Sequence, residues 1–336
     1  MESLTNALLP AVKTINAYLS DYVLIFLLIG VGLYFSFRTK FVQIRCFKEG
    51  WNLVFGNLSL NGAKQESGMS SFQALATSIA AQVGTGNIVG ASGAILTGGP
   101  GAIFWMWVIA FFGMATIYAE AVLAQKTRVT TEDGDILGGP VYYIREAFKG
   151  KVGKLLAGFF AIAVILAMGF FGCMVQSNSI GSTFQTAFGV PGWTIGVVLV
   201  IICTLYTPDG ILAGGYTPAL ESVLTKTNLA QTAFGTVFGA QLGSAFVAVA
   251  LFFFAFSTIL GWNMFGKTNA EYLFGEKGAK VYTLISLVFI FLGTAAKSDL
   301  VWELSDMFNQ LMVLPNVVGL IGCSALVVSL TKFGKK

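Results

Sequence analysis

A chain of 336 residues that is 55% hydrophobic and only 11% charged, with a mean hydropathy of +0.77, is not a soluble domain, in which charged residues make up about 25%. It reads as an all-α polytopic membrane protein. The net charge of +4 carries no polybasic tract, so no nucleic-acid partner is expected, and the absence of histidine removes imidazole metal sites, His-based triads and His proton relays.

From the N-terminus, "MESLTNALLPAVKTINAYLSDY" lacks the basic flank, apolar core and cleavage site of a secretory signal. Leu4, Leu8, Val12 and Ile15 fall at helical spacing and predict a short interfacial helix. A bilayer span needs about 20 largely apolar residues. That rule predicts about eight transmembrane helices, near 20–37, 72–97, 102–124, 155–176, 192–206, 236–262, 281–297 and 308–330, the fifth being short. No soluble domain or long linker divides them, so the chain is a single membrane domain, 1–336. Cys46, Cys173, Cys203 and Cys323 show no C-x-x-C spacing and read as buried free thiols.

Lysine and arginine in short loops set orientation. "FRTKFVQIRCFKEG" after the first span is basic and belongs inside, with the N-terminus outside. "QKTRVTTEDGDILGGPVYYIREAFKGKVGK" falls inside as well, and the uncharged "QSNSIGSTFQTAFGVPG" is expected to be an outside linker. Reading backwards, "TKFGKK" belongs inside, the acidic "KSDLVWELSD" outside and "GKTNAEYLFGEKGAK" inside. The two halves then disagree by one crossing. The conflict lies in "CTLYTPDGILAGGYTPALESVLTKTNLAQ", Cys203 to Gln231, whose prolines, glycines and charges do not suit a span.

Within the second predicted span, "AAQVGTGNIVGASGAILTGGPG" (Ala80 to Gly101) is broken by glycines. Each interior glycine lowers helix stability by roughly 1 kcal/mol. No Rossmann or P-loop fingerprint fits, because the third glycine comes one residue late and no Gly-Lys-Ser/Thr follows. Ala91, Gly93 and Gly98 suit close helix packing. Gly84, Thr85, Gly86 and Asn87 leave two readings open: more packing, or a mid-membrane break whose bare amides and carbonyls hold a small charged solute and a cation.

Three further features admit two readings each. Glu120 is either a proton or cation site or, the preferred reading, a side chain snorkelling toward Lys126 or Arg128. Ser257 and Thr258 either bond back to their own helix or form the hydroxyl half of a Na⁺ site. "FWMWV" (Phe104 to Val108) anchors an interface or gates a substrate.

Several motifs together resemble one family, the alanine or glycine:cation symporters (sodium:alanine symporters). "VGTGNIVGASGAILTGGPGAIFWMWVIAFFGMAT" (Val83 to Thr116) is the most specific. "GGPVYYI" (Gly138 to Ile144), "FAFSTILGW" (Phe254 to Trp262), "EYLFGEKG" (Glu271 to Gly278) and "VWELSDMFNQLMVLPN" (Val301 to Asn316) support it. The resemblance implies an inverted-repeat amino-acid transporter (LeuT-type) scaffold of the cytoplasmic membrane, importing alanine or glycine with Na⁺ or H⁺. By motif, Thr85 and Gly86 would touch the substrate, Gly84 and Asn87 would shape the turn, and Ser257 and Thr258 would face Na⁺. No other cofactor is implied.

The family's second broken helix has no counterpart here, and its members run on the order of 100 residues longer. Residues 1–200 then read as a first repeat with its preceding span and 201–336 as the remnant of a second. The joint near Val200 to Cys203 would remove three crossings, an odd number, in keeping with the orientation conflict. Two functions are expected on this footing: sodium-coupled symport of alanine or glycine, or an internally deleted protein of the same family that cannot transport. A passive channel lacks a charged ring or filter motif, and an enzyme lacks a nucleophile–base pair.

Overall fold

The computed structural model describes residues 2–55, 71–130, 136–205, 238–295 and 298–331. It is a helical protein. In chain order, α1 (Glu2–Tyr18) passes through a π-turn at Leu19–Leu24 into α2 (Ile25–Arg38). Short helices α3 (Val42–Arg45) and α4 (Phe47–Phe55) follow, then α5 (Ser71–Gln82), a π-turn at Gly86–Gly90 and α6 (Ala91–Gly98). Next come α7 (Gly101–Lys126), a two-stranded antiparallel hairpin of β1 (Val129–Thr130) and β2 (Ile136–Leu137), and α8 (Pro140–Ala147). Helix α9 (Gly150–Val164) runs through a π-turn at Ile165–Gly172 into α10 (Cys173–Phe188), and α11 (Gly192–Leu205) follows. The last elements are α12 (Ala240–Ala295), α13 (Ser298–Gly322) and α14 (Ser324–Leu330).

Five helices among the described residues are long and apolar enough to cross a membrane: Ala7–Arg38, Gly101–Lys126, Gly150–Phe188, Ala240–Thr294 and Asp299–Gly322, with Gly192–Thr204 shorter. On α7, Trp105, Trp107, Ile109, Met114 and Ile117 are exposed, which in a bilayer means facing lipid. The single stretch α12 carries two of the predicted spans. They are separated at Gly275, whose φ of +70° and ψ of −173° interrupt the helical path.

Three expectations change. The predicted interfacial helix at the N-terminus continues into the first span, because a π-turn absorbs the register change without ending the helix. The segment "GKTNAEYLFGEKGAK" (266–280), expected inside between two spans, is helical on both sides of Gly275. The uncharged outside linker "QSNSIGSTFQTAF" is helix α10, and the chain turns only at Gly189, which has a φ of +66° and sits just before Pro191. Polarity misled the reading: Ser177 donates to Met174 O (3.1 Å), Ser182 to Asn178 O (2.8 Å) and Thr186 to Ser182 O (3.1 Å). Hydroxyls that close on their own helix need no water. Most of the linker at Cys203 to Gln231 lies outside the described residues.

The chain divides into two compact units. The first comprises Met1–Lys13, Ala76–Ile103 and Val164–Phe308. Its core joins α10, α11 and α12 through Cys173, Ile180, Leu199, Phe252, Phe256, Ile259 and Ile290. Asn178 fixes the register there, donating from Nδ2 to Gly293 O at 2.8 Å. A buried side-chain amide is tolerable only when so satisfied.

The second unit comprises Thr14–Leu75, Phe104–Ala163 and Asn309–Lys336. Tyr143 and Ile144 of α8 are fully buried, and Gly319 of α13 lies against Ile144. Side-chain hydrogen bonds tie distant segments, Tyr34 to Ser324 at 3.0 Å and Tyr118 to Thr331 at 3.3 Å.

Candidate functional site at the break between α5 and α6

Helix α5 stops at Gln82, and Val83 and Gly84 are non-helical before the chain turns again from Thr85. A helix end leaves its last carbonyls and the next helix's first amides without intrahelical partners. Here α12 takes the carbonyls. Thr258 Oγ1 lies 3.0 Å from Ala80 O and 3.1 Å from Val83 O, and Trp262 Nε1 donates to Ala81 O at 2.9 Å. Residues 258 and 262 are one helical turn apart, so a single face of α12 serves the whole break.

The amides are satisfied differently. Asn87 Oδ1 accepts from Gly84 N at 2.8 Å, while Asn87 N donates to Gly84 O at 3.2 Å. The first bond is one half of a capping box, with Gly84 as the cap residue and Asn87 in the third helical position; the second is a backbone turn, since glycine has no side chain to return the bond. Thr85 N donates to Gln176 Oε1 of α10 at 3.1 Å. Thr85 is fully buried, and its Oγ1 has no hydrogen-bond partner. Such an orphan costs about 1–3 kcal/mol unless something occupies the position. Gly86 and Asn87 are exposed, and a Cβ built on Gly86 would meet open space.

The predicted residues fall into two groups. Gly84, Thr85, Gly86, Asn87 and Thr258 come together at the break. Ser257 does not, since its Oγ donates to Phe254 O of its own helix at 3.0 Å. A Cβ on Gly84 would approach Thr258 Oγ1 to 2.6 Å, so only glycine allows this approach. Reading the sequence missed Gln176, which is 1% exposed and contributed by the segment expected to be a linker. The signal available was the helical continuity of "MVQSNSIGSTFQ" with the preceding span, uninterrupted by proline.

A threonine hydroxyl has one proton. It can satisfy only one of the two carbonyls beside it, so the other oxygen pair faces lone pair to lone pair. Three oxygens converging with one proton make a hard donor set of the kind that suits an alkali or alkaline-earth cation. Among the described residues no three His, Cys, Asp or Glu side chains gather where they could hold a metal ion. The chemistry of the break is therefore that of neutral oxygens.

A profile of the sodium:alanine symporter family matches residues 5–217 and 200–335. The "Sodium/alanine symporter AgcS" of Methanococcus maripaludis is 31% identical over 436 positions, which cover 96% of each chain. The "Putative sodium/proton-dependent alanine carrier protein YrbD" of Bacillus subtilis is 30% identical over 439 positions, 92% of this chain and 89% of the relative. The "Probable sodium/glutamine symporter GlnT" of the same organism is 29% identical, covering 94% and 88%. The first alignment is longer than this chain's 336 residues, leaving about 100 positions of the relative without a counterpart. With nearly its whole length matched, in two stretches that overlap at 200–217, the chain belongs to the sodium:alanine symporter family.

Proposed function

We propose that this chain binds a small amino acid, alanine or glycine, together with Na⁺ at the break between α5 and α6, as the site of a sodium-coupled symporter. The observation carrying the reading is the Thr258 hydroxyl set between the Ala80 and Val83 carbonyls, beside the unpartnered Thr85 hydroxyl. Na⁺ would take Thr258 Oγ1 and the two carbonyls, and Ser257 could join only by giving up its bond to Phe254 O. The substrate carboxylate would lie against the amides of Thr85 and Gly86 at a helix start, where partial positive charge gathers, displacing Gln176 Oε1 from Thr85 N while Gly84 N stays bonded to Asn87 Oδ1. Its ammonium would find Thr85 Oγ1 and Gln176 Oε1. Asn87 holds the cap that keeps this turn open.

The scaffold is read as the LeuT-type inverted repeat, a single membrane domain with residues 1–200 forming a first repeat and 201–336 an incomplete second one. It lies in the cytoplasmic membrane with the N-terminus outside and the C-terminus inside. No catalytic residue is assigned. Equilibrium binding of radiolabelled alanine to the purified chain, with Na⁺ or with choline in its place, tests the reading. Binding that needs Na⁺ and is lost in Thr258→Val supports it; binding indifferent to both overturns it.

One observation favours a second reading, that of a transport-incompetent member of the family. It is the family match in two stretches, together with an alignment about 100 positions longer than the chain. Alternating access moves two related halves about one site. A chain lacking part of one half would bind without carrying.

A further inference from the structure

The second unit holds an acidic side chain that the function above does not use. Glu120, half-buried toward the Lys126 end of α7, accepts a hydrogen bond at Oε1 from Asn316 Nδ2 at 2.6 Å. Asn316 Oδ1 in turn accepts from the Tyr143 hydroxyl. Tyr143 is fully buried, and its carbonyl accepts from Cys323 Sγ at 3.4 Å. Asn316 follows Pro315, which lacks the N–H that would hold α13 at that point. One polar chain thus links α8, α13 and α7, and the Tyr143 hydroxyl and the Asn316 amide both donate along it toward Glu120.

A carboxylate within an apolar helix needs a cation, several donors or a proton. Snorkelling toward Lys126 or Arg128, expected from the sequence, does not occur as an ion pair. Ion pairs form elsewhere, as at Glu146–Lys149 and Glu276–Lys280. An ionised carboxylate offers about four lone-pair positions, and Asn316 fills one. The titratable group facing Glu120 from α8 is Tyr143, with Cys323 behind it. Glu146 and Lys149, bonded to each other, act on Cys323. Lys126 and Arg128 on the α7 side are exposed. The terminal acceptor of the chain therefore has spare lone pairs and, among the described residues, no cation paired with it.

We infer that Glu120 is a proton-binding site of this chain, built from residues other than those of the amino-acid and Na⁺ set. A proton from the water at the Lys126 end of α7 forms an O–H bond at the free carboxyl oxygen, while Oε1 goes on accepting from Asn316. The bond from Asn316 is charge-assisted only in the ionised form, where it is roughly twice as strong as between neutral groups. Protonation weakens the tie between α7 and α13 and removes a charge from the apolar helix.

Infrared difference spectra of the full chain in lipid nanodiscs, taken through a pH titration, test this. The expected result is a protonated-carboxyl C=O band that grows on acidification and is missing in Glu120→Gln. In Asn316→Ala the band remains, but its transition moves to higher pH by about one unit, because the ionised form has lost its donor. Identical spectra from wild type and Glu120→Gln overturn the inference. If Glu120→Gln does not reconstitute, Asn316→Ala carries the test alone, and a transition that stays where it was counts against the site.

Discussion

At Thr258 one side chain meets two carbonyls and a glycine, and this crowding makes the residue testable. Thr258→Val keeps the shape and removes the oxygen. Whichever of Ala80 O and Val83 O the hydroxyl serves then loses its donor, at a cost of about 1–3 kcal/mol, and the proposed cation loses its only side-chain oxygen from α12. Thermal melts in detergent should show a modest loss of stability and no further rise on adding NaCl. Wild type, binding Na⁺ in the folded state only, should melt higher as Na⁺ increases. Gly84→Ala tests the same point from the other side, since its Cβ would lie 2.6 Å from Thr258 Oγ1. That variant should lose the Na⁺ response even though Thr258 is intact. The pair of hydroxyls was legible in the sequence, but which one faces the break was not. Neighbours on a helix point about 100° apart, and only the packing of α12 against α5 selects Thr258 over Ser257.

Between residues and the whole stand the elements, where sequence reading did best on composition and worst on polarity. A break at Gly84–Asn87 was readable as one of two alternatives because Gly-Thr-Gly-Asn is poor helix and good capping chemistry in an apolar setting; the helix in fact stops at Val83–Gly84. Helix α10 was not, because a run of Gln, Ser, Asn and Thr looks like a loop until its hydroxyls are seen closing on their own carbonyls. Its true end lies at Gly189, and the bend in α12 lies at Gly275; the two glycines differ. Gly189, with φ +66° and ψ 11°, is left-handed, a conformation that Asn adopts at small cost. Gly275, with φ +70° and ψ −173°, lies in a region essentially closed to other residues, worth on the order of 1–3 kcal/mol. Gly189→Asn should leave the melting temperature nearly unchanged, and Gly275→Asn should lower it clearly. Equal effects would mean that the bend in α12 is not held by backbone conformation.

For the whole molecule, binding and transport separate, because they require different amounts of structure. The proposed site draws on residues of α5, the turn before α6, α10 and α12 that all lie within the first unit. Carrying a solute across requires the site to open to each side in turn, which in inverted-repeat transporters comes from one repeat rocking against the other. The orientation conflict read from Lys and Arg, one crossing out of step at Cys203 to Gln231, falls where the two family matches overlap, at 200–217. An odd number of missing crossings would account for both. The expected outcome is Na⁺-dependent alanine binding in detergent, with proteoliposomes of the same preparation accumulating no more radiolabelled alanine under an inward Na⁺ gradient than empty liposomes do. Uptake that follows the gradient would show that the remaining helices rearrange between two open states unaided, and the incomplete-repeat reading would fall while the site at the break stood. Failure of both binding and uptake in a well-folded, monodisperse preparation would remove the site itself.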